Sequence, residues 1–250
     1  DALPISIMQL PNVREFDLTS LRMNPVTSFG IDWTEALAKQ WCGFATNCDT
    51  SEAAYGLTET HTVDTYMPRE AVRWGTHGKP VPGNEIRILD PATGADAKPG
   101  EPGEILVRGP GVFKGYRNRP DATAETLRNG WVHTGDMGRI DADGYLTFMG
   151  RFKEMIKVSG YSVFPEDVES ILNKHEAVAA SAVIGVPDPT KGEVVRAFIV
   201  RAPGAELDAA ALTAWARQNM APYKIPRDIR FVDELPRSPA GKLLRRLLKD

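Results

Sequence analysis

Trp131–Pro165 reads WVHTGDMGRIDADGYLTFMGRFKEMIKVSGYSVFP, and the order of its parts decides how the chain on either side is read. Thr134-Gly135-Asp136 sets a carboxylate at a turn. Asp143-Gly144, flanked by Ile140 and by Tyr145, Leu146 and Phe148, signals a hairpin, since this pair tolerates the positive φ of a tight turn. Arg151 opens a run of alternating charge and hydrophobe that ends at Gly160, and Pro165 marks a helix start. The stretch reads as a joint between the end of a large domain and a small second one.

Upstream, residues 62–150 carry short alternating runs broken by Gly and Pro: Glu85–Leu89, Glu104–Val107, Gly130–His133, Gly138–Asp141 and Tyr145–Met149. This spacing predicts a small barrel-like β subdomain. One helix interrupts it, Asp121–Arg128, with Asp121 as its N-cap. Before it, residues 1–60 read as mixed helix and loop. Ile31, Leu37, Ala38 and Trp41 form the apolar side of a helix capped by Asp32, and Gly43–Ala53 is polar for a buried strand. Downstream, helix Pro165–His175, strands Val178–Val186 and Glu193–Val200, helix Asp208–Met220, strand Ile229–Val232 and a terminal amphipathic helix Leu243–Leu248 compose a small α+β domain. The expected class is mixed α/β and α+β: residues 1–151 end a large domain, and residues 152–250 form a small mobile one.

The totals bound the function. A length of 250 residues suffices for a real core, and 42% hydrophobic with 25% charged residues is ordinary globular composition. A net charge of -3 gives no general pull towards nucleic acid or an anionic surface. Cys42 and Cys48 lack a second pair for zinc and read as free thiols of a reducing, cytoplasmic compartment. No apolar run reaches the roughly 20 residues of a membrane span. The chain opens at Asp1 in ordinary globular sequence, so a fragment is expected, with a homo-oligomer left open.

Several motifs offer chemistry beside a plainer alternative. In Tyr55-Gly56-Leu57-Thr58-Glu59-Thr60, Thr58 and Glu59 supply hydroxyl and carboxylate oxygens of the kind phosphate and Mg²⁺ take, or else Thr58 or Thr60 caps a helix. Gly109–Gly115 follows a strand but no helix follows it, so it reads as a turn. Asp136 suits the vicinal hydroxyls of a ribose, or is an ordinary turn residue. Lys242, in Pro236-Arg237-Ser238-Pro239-Ala240-Gly241-Lys242, is a stiffly held ammonium suited to a phosphoryl transition state, or part of a solvated basic tail with Arg245, Arg246 and Lys249. His61, His77, His133 and His175 show no metal spacing, and no Gly-x-Ser-x-Gly elbow is present.

Taken in order, Tyr-Gly-Leu-Thr-Glu, Gly-Glu-Ile-Leu-Val-Arg-Gly, Thr-Gly-Asp, Gly-Arg-x-Lys-x-x-Ile-Lys-x-x-Gly, Pro-Tyr-Lys-Ile-Pro and Pro-Arg-Ser-x-x-Gly-Lys resemble the adenylate-forming superfamily of acyl- and aryl-CoA synthetases, adenylation domains and beetle luciferases. The resemblance covers about residues 50–250. It implies that a carboxylate attacks the α-phosphate of ATP and that the thiol of coenzyme A then displaces AMP. By the same resemblance Tyr55 meets the adenine, Gly56 belongs to the cofactor-binding set, Thr58 meets phosphate and Glu59 holds Mg²⁺. Asp136 and Arg151 hold the ribose, Lys242 serves adenylation, Lys153 is the hinge, and Lys157 and Gly160 serve thioester formation. The family's upstream phosphate loop and substrate-carrying half are absent, and its glycine-rich segment before Tyr-Gly is represented by Ser28-Phe29-Gly30. The expected identity is the C-terminal half of an acyl-CoA synthetase, inactive alone, acting on a carboxylic acid with a fatty acid as first guess. His61 and Trp74–Gly78 are its candidate pocket wall. A carrier-loading adenylation domain and a non-catalytic nucleotide-binding remnant are the alternatives.

Overall fold

The computed structural model describes residues 3–27, 33–238 and 241–248. Ser28-Phe29-Gly30, Ile31, Asp32, Pro239, Ala240 and Lys249 lie outside them. The chain divides into two compact units, Asp1–Met149 and Gly150–Asp250.

The first unit begins with a short helix, Leu3–Met8 (α1), and a two-stranded parallel sheet, Met23–Val26 (β1) against Asp49–Glu52 (β2). The polar stretch after Gly43 therefore does carry a strand. Between these strands, Glu35–Cys42 (α2) is capped by Thr34, whose hydroxyl accepts from Leu37 N at 3.3 Å. The expected Asp32 cap lies outside the described residues. Trp33, Trp41, Val26 and Cys48 form this corner's core. Cys42 and Cys48 are free thiols.

A short pair, Thr65–Tyr66 (β3) and Lys79–Pro80 (β4), leads into the β-rich part. Here Glu85–Leu89 (β5), Gly103–Arg108 (β6), Trp131–Ile140 (β8) and Leu127–Arg128 (β7) pair in that order, and Leu146–Arg151 (β9) also pairs with β8. Alternation along β6 buries Ile105 and Val107 against Leu146 and Tyr55. The helix Pro120–Thr126 (α3) precedes β7. Its N-cap is Arg119, not Asp121, because Pro120 takes the first helical position, where its missing N–H costs nothing. Asp121 sits instead in the first turn, favourably placed for the helix dipole.

The second unit is a five-stranded sheet: Tyr161–Val163 (β11), Ile156–Val158 (β10), Gly192–Arg201 (β13) and Val178–Asp188 (β12) in that order, with Asp228–Phe231 (β14) parallel to β13. Pro165–Leu172 (α4) and Ala209–Asn219 (α5) contribute Val168, Leu172 and Leu212 to a core with Val183, Val195, Ala197 and Ile199. Asp208 caps α5, accepting from Ala211 N at 2.7 Å. A second cluster joins Ala182, Ile184 and Phe198 to Leu235, Leu243 and Leu248. The expected terminal helix Leu243–Leu248 is instead a bridge, Arg237 opposite Leu243, followed by a 3₁₀ turn, Arg245–Leu247. Tertiary burial of Leu243 and Leu248 overrides the helical spacing of the leucines.

Candidate functional site

The carboxylate of Asp136 does not stand on a turn. It lies inside β8, where the pairing with β6 slips: Leu106 faces His133, yet Glu104 faces Met137. One residue of β6, Ile105, is thus opposed by three of β8, Thr134, Gly135 and Asp136, a bulge made possible by Gly135 at φ 68°. Thr134 buckles it, its hydroxyl donating to Ile105 O at 2.7 Å and accepting from Asp136 N at 3.0 Å. Glu104 closes the other side, accepting from Gly135 N at 3.1 Å and meeting His133 Nδ1 at 3.1 Å.

The bulge aims Asp136, 5% exposed, at Tyr55, 7% exposed, whose hydroxyl donates to Asp136 Oδ2 at 2.9 Å. Burial first, then the Asp136 charge, pushes the Tyr55 phenol well above its ordinary range, so Tyr55 stays a neutral donor. Its ring stacks on Phe148 with centroids 5.9 Å apart. Phe148 is fixed in turn by its N–H donating to His77 Nδ1 at 3.3 Å and by the His77 ring edge. Desolvation holds His77 neutral, with its pKa lowered to about 4.

Three residues beyond Tyr55 the backbone enters a 3₁₀ turn, Thr58–Thr60. Its N-cap position is Leu57, whose N–H donates to Thr60 Oγ1 at 3.4 Å, so Thr60 takes part in the cap and Thr58 does not. Thr60 is buried and donates to Asp64, which also accepts from Asn84 Nδ2 at 3.0 Å. Burial lifts Asp64 to about 6. These ties leave Thr58 exposed and Glu59 half-buried, with Glu59 Oε1 accepting from the Tyr116 hydroxyl at 2.6 Å. Gly56 is obligatory by contact, since a Cβ there would strike the carbonyl of Thr62. Three residues of chain let the Cα atoms of Tyr55 and Thr58 lie at most roughly 10 Å apart. One carboxylate beside a hydroxyl suits a Mg²⁺ that takes its other ligands from phosphate and water.

In the second unit, β10 and β11 form a hairpin whose two-residue turn is Ser159 at φ 51° and Gly160 at φ 87°. Gly160 is required by that conformation; a Cβ there would meet nothing within 4 Å. Lys157 is exposed on β10, with Nζ 2.9 Å from Ser162 Oγ. Beside the turn lies a cavity of about 410 Å³ whose lining includes Tyr161, Lys191, Tyr223 and Arg227. Tyr161 and Tyr223 stack with centroids 4.4 Å apart. Lys153 is exposed in a 3₁₀ turn, Phe152–Glu154, that follows Arg151. Lys242 is exposed on a loop tied by Ser238, whose N–H donates to Lys242 O at 2.8 Å and whose hydroxyl accepts from Lys242 N at 3.1 Å. The structure thus joins Tyr55 to Asp136 directly and sets Thr58 and Glu59 on the adjoining turn. Arg151, Lys153, Lys157, Gly160 and Lys242 belong to the second unit.

Phe148, Thr134, Glu104 and the Thr60–Asp64–Asn84 set escape a reading of sequence. Only the buckled strand brings the first three together, though a Glu at the start of an alternating run was a visible signal.

A buried carboxylate–phenol pair thus stands beside a Thr-Glu turn in the first unit, and the small α+β second unit carries Lys242 on a tied loop. The AMP-binding enzyme profile matches residues 4–117, and the AMP-binding enzyme C-terminal domain profile matches residues 167–242. The chain belongs to the AMP-binding enzyme family. It is 40% identical over 245 residues to a long-chain-fatty-acid–CoA ligase of Yersinia pestis, covering 96% of this chain and 42% of that protein. It is 44% identical over 193 residues to a feruloyl-CoA synthase of Amycolatopsis sp, covering 76% of this chain and 39% of that protein. The crystal structure of ATP-bound MatB from Rhodopseudomonas palustris superposes with a TM-score of 0.82 at 32% identity, over 98% of this chain and 48% of that one. The chain therefore spans less than half the length of these relatives. Among the described residues, no helix is long and apolar enough to cross a membrane.

Proposed function

We propose that this chain is the nucleotide-side and C-terminal portion of an AMP-forming acid–CoA ligase, working in the cytoplasm. The bulge-held Asp136, bonded to Tyr55 beside the Thr58–Glu59 turn, is the observation that carries the reading. In the first step a carboxylate oxygen bonds to the α-phosphorus of ATP and the bond to pyrophosphate breaks. Asp136 and Arg151 hold the ribose hydroxyls, Tyr55 and Gly56 border the adenine, Thr58 donates to phosphate, and Lys242 offsets charge on the reacting oxygens. Glu59 would hold Mg²⁺, which when bound neutralises phosphate charge.

In the second step a thiol sulfur bonds to the acyl carbon and AMP leaves. Lys153 is the hinge between the two steps, and Lys157 with the Ser159–Gly160 turn faces the acceptor. The neighbouring cavity pairs two cations, Lys191 and Arg227, with two aromatic rings. That chemistry supports a phosphate- and purine-bearing thiol, coenzyme A, over a carrier protein. A fatty acid is the proposed substrate, supported by the named activity of the Yersinia pestis relative; the feruloyl relative makes an aryl acid the competing choice.

The test is carboxylate-dependent ATP–pyrophosphate exchange in the full-length protein, with dodecanoate and ferulate as probes. Exchange with dodecanoate, lost at least 100-fold in Asp136→Ala, is expected; the 250-residue chain alone should show none. Wild-type exchange in Asp136→Ala would overturn the ribose assignment, and exchange by the chain alone would overturn its dependence on the rest of the protein.

A further inference from the structure

Away from the residues so far given roles, the second unit buries one cation among three carboxylates. Arg245 Nη1 lies 2.7 Å from Glu154 Oε2 and 2.9 Å from Glu166 Oε1, and Nη2 lies 2.7 Å from Glu169 Oε2. Its Nε donates to Glu169 Oε1 at 3.2 Å. Glu169 is 2% exposed and also accepts the N–H of Val183 at 2.7 Å. That N–H belongs to β12, an edge strand that, among the described residues, pairs with β13 alone.

The cluster gathers three separate pieces of chain. Glu154 follows Lys153 in the Phe152–Glu154 turn, Glu166 and Glu169 lie on α4, and Arg245 lies three residues past Lys242. Only a guanidinium can meet this set, because its planar fork presents five donors in fixed directions whereas an ammonium is a point charge. Such a group is not needed for stability alone, since well-packed apolar residues serve a buried site as well or better. What it does impose is position. A lysine side chain is long and supple, and a transition-state contact misplaced by about 1 Å loses about 100-fold in rate.

We infer that Arg245 is a positioning residue for Lys242, locking the lysine loop to α4 and to the Lys153 turn so that the loop and the turn move as one body. The inference rests on the adenylation role proposed for Lys242.

Trypsin digestion of the native 250-residue chain, read by mass spectrometry, tests the lock without any activity. Cleavage after Lys242 should accelerate at least tenfold in Arg245→Gln and to a lesser extent in Glu154→Gln, which removes only the tie to the turn. Cleavage after Arg217 in α5 should stay constant. Unchanged cleavage after Lys242, or an equal rise at Arg217, overturns the inference. In the full-length protein, assayed with the carboxylate that best supports wild-type exchange, both variants should lose 10- to 100-fold in adenylation kcat with KM for ATP little changed. Thioester formation from supplied acyl-adenylate should stay within twofold. Equal losses in both half-reactions mean a merely structural role and sink the inference. Lys242→Ala separates the two readings: if it leaves adenylation intact, the role of Lys242 fails; if it abolishes adenylation while the Arg245 and Glu154 variants retain it, only the positioning inference fails.

Discussion

Replacing Glu166 by Gln should change how the second unit responds to pH. Glu166 is one of three carboxylates on one guanidinium, and its Oε2 is buried with no hydrogen-bond partner among the described residues, beside Gly150, where even a Cβ would collide with it. Burial is the main cause, opposed by Arg245, and it raises the carboxyl from 4.5 to about 7. The folded state therefore holds a proton that the unfolded chain has released between those values. Stability from this group is complete below about pH 4.5 and is lost as pH rises towards 7. At about 1.4 kcal/mol per pH unit the interval is worth about 3 kcal/mol. Glutamine keeps the uncharged shape and cannot ionise, so its buried amide adds a constant offset but no slope. Hydrogen exchange of the β12 amides, Val183 above all, follows opening of this unit across pH 4–8.5. The wild type should lose about 3 kcal/mol of opening free energy relative to Glu166→Gln over that range. Parallel pH profiles for the two proteins would refute the reasoning.

Three further outcomes are expected. Tyr55→Phe deletes the bond to Asp136 and should destabilise the first unit by about 1.5–3 kcal/mol by urea titration; a neutral result would show that the pair does not hold the bulge. His77, lowered to about 4 by desolvation, binds its proton more weakly when folded, so stability should fall as pH drops from 6.5 through 4. Its ring resonances should stay flat down to pH 5, and a midpoint near 6.5 would contradict the burial argument. In the full-length protein, Lys153→Pro fixes φ at the proposed hinge and should cripple one half-reaction while sparing the other; equal rates for both in variant and wild type would overturn the hinge.

Local chemistry made much of the fold readable. Glu85–Leu89 alternates as a half-buried strand must, and Asp208 carries the oxygen its helix start needs. Two of the misreadings share one cause, a distant partner. Thr134-Gly135-Asp136 has the composition of a turn, and only the carbonyl of Ile105 and the carboxylate of Glu104 keep it within a strand. The leucines after Lys242 have helical spacing, but Leu243 and Leu248 find the sheet and Arg245 finds three carboxylates. Of the candidate site, the ordered motifs carried the residue identities. The Tyr55–Asp136 bond spans 81 positions, so no window of sequence contains it.

The Asp136 bulge has a further property that follows from counting. It adds an even number of residues, so the pleat is in phase on both sides: His133 and Met137 keep the faces that Leu106 and Glu104 dictate. The carboxylate thus occupies a detachable insert in an otherwise regular ladder. Excising two residues there would close the ladder into plain antiparallel pairing without inverting a single core side chain. Sheet and buried carboxylate are therefore separable: the ladder can persist without the insert that carries the acid.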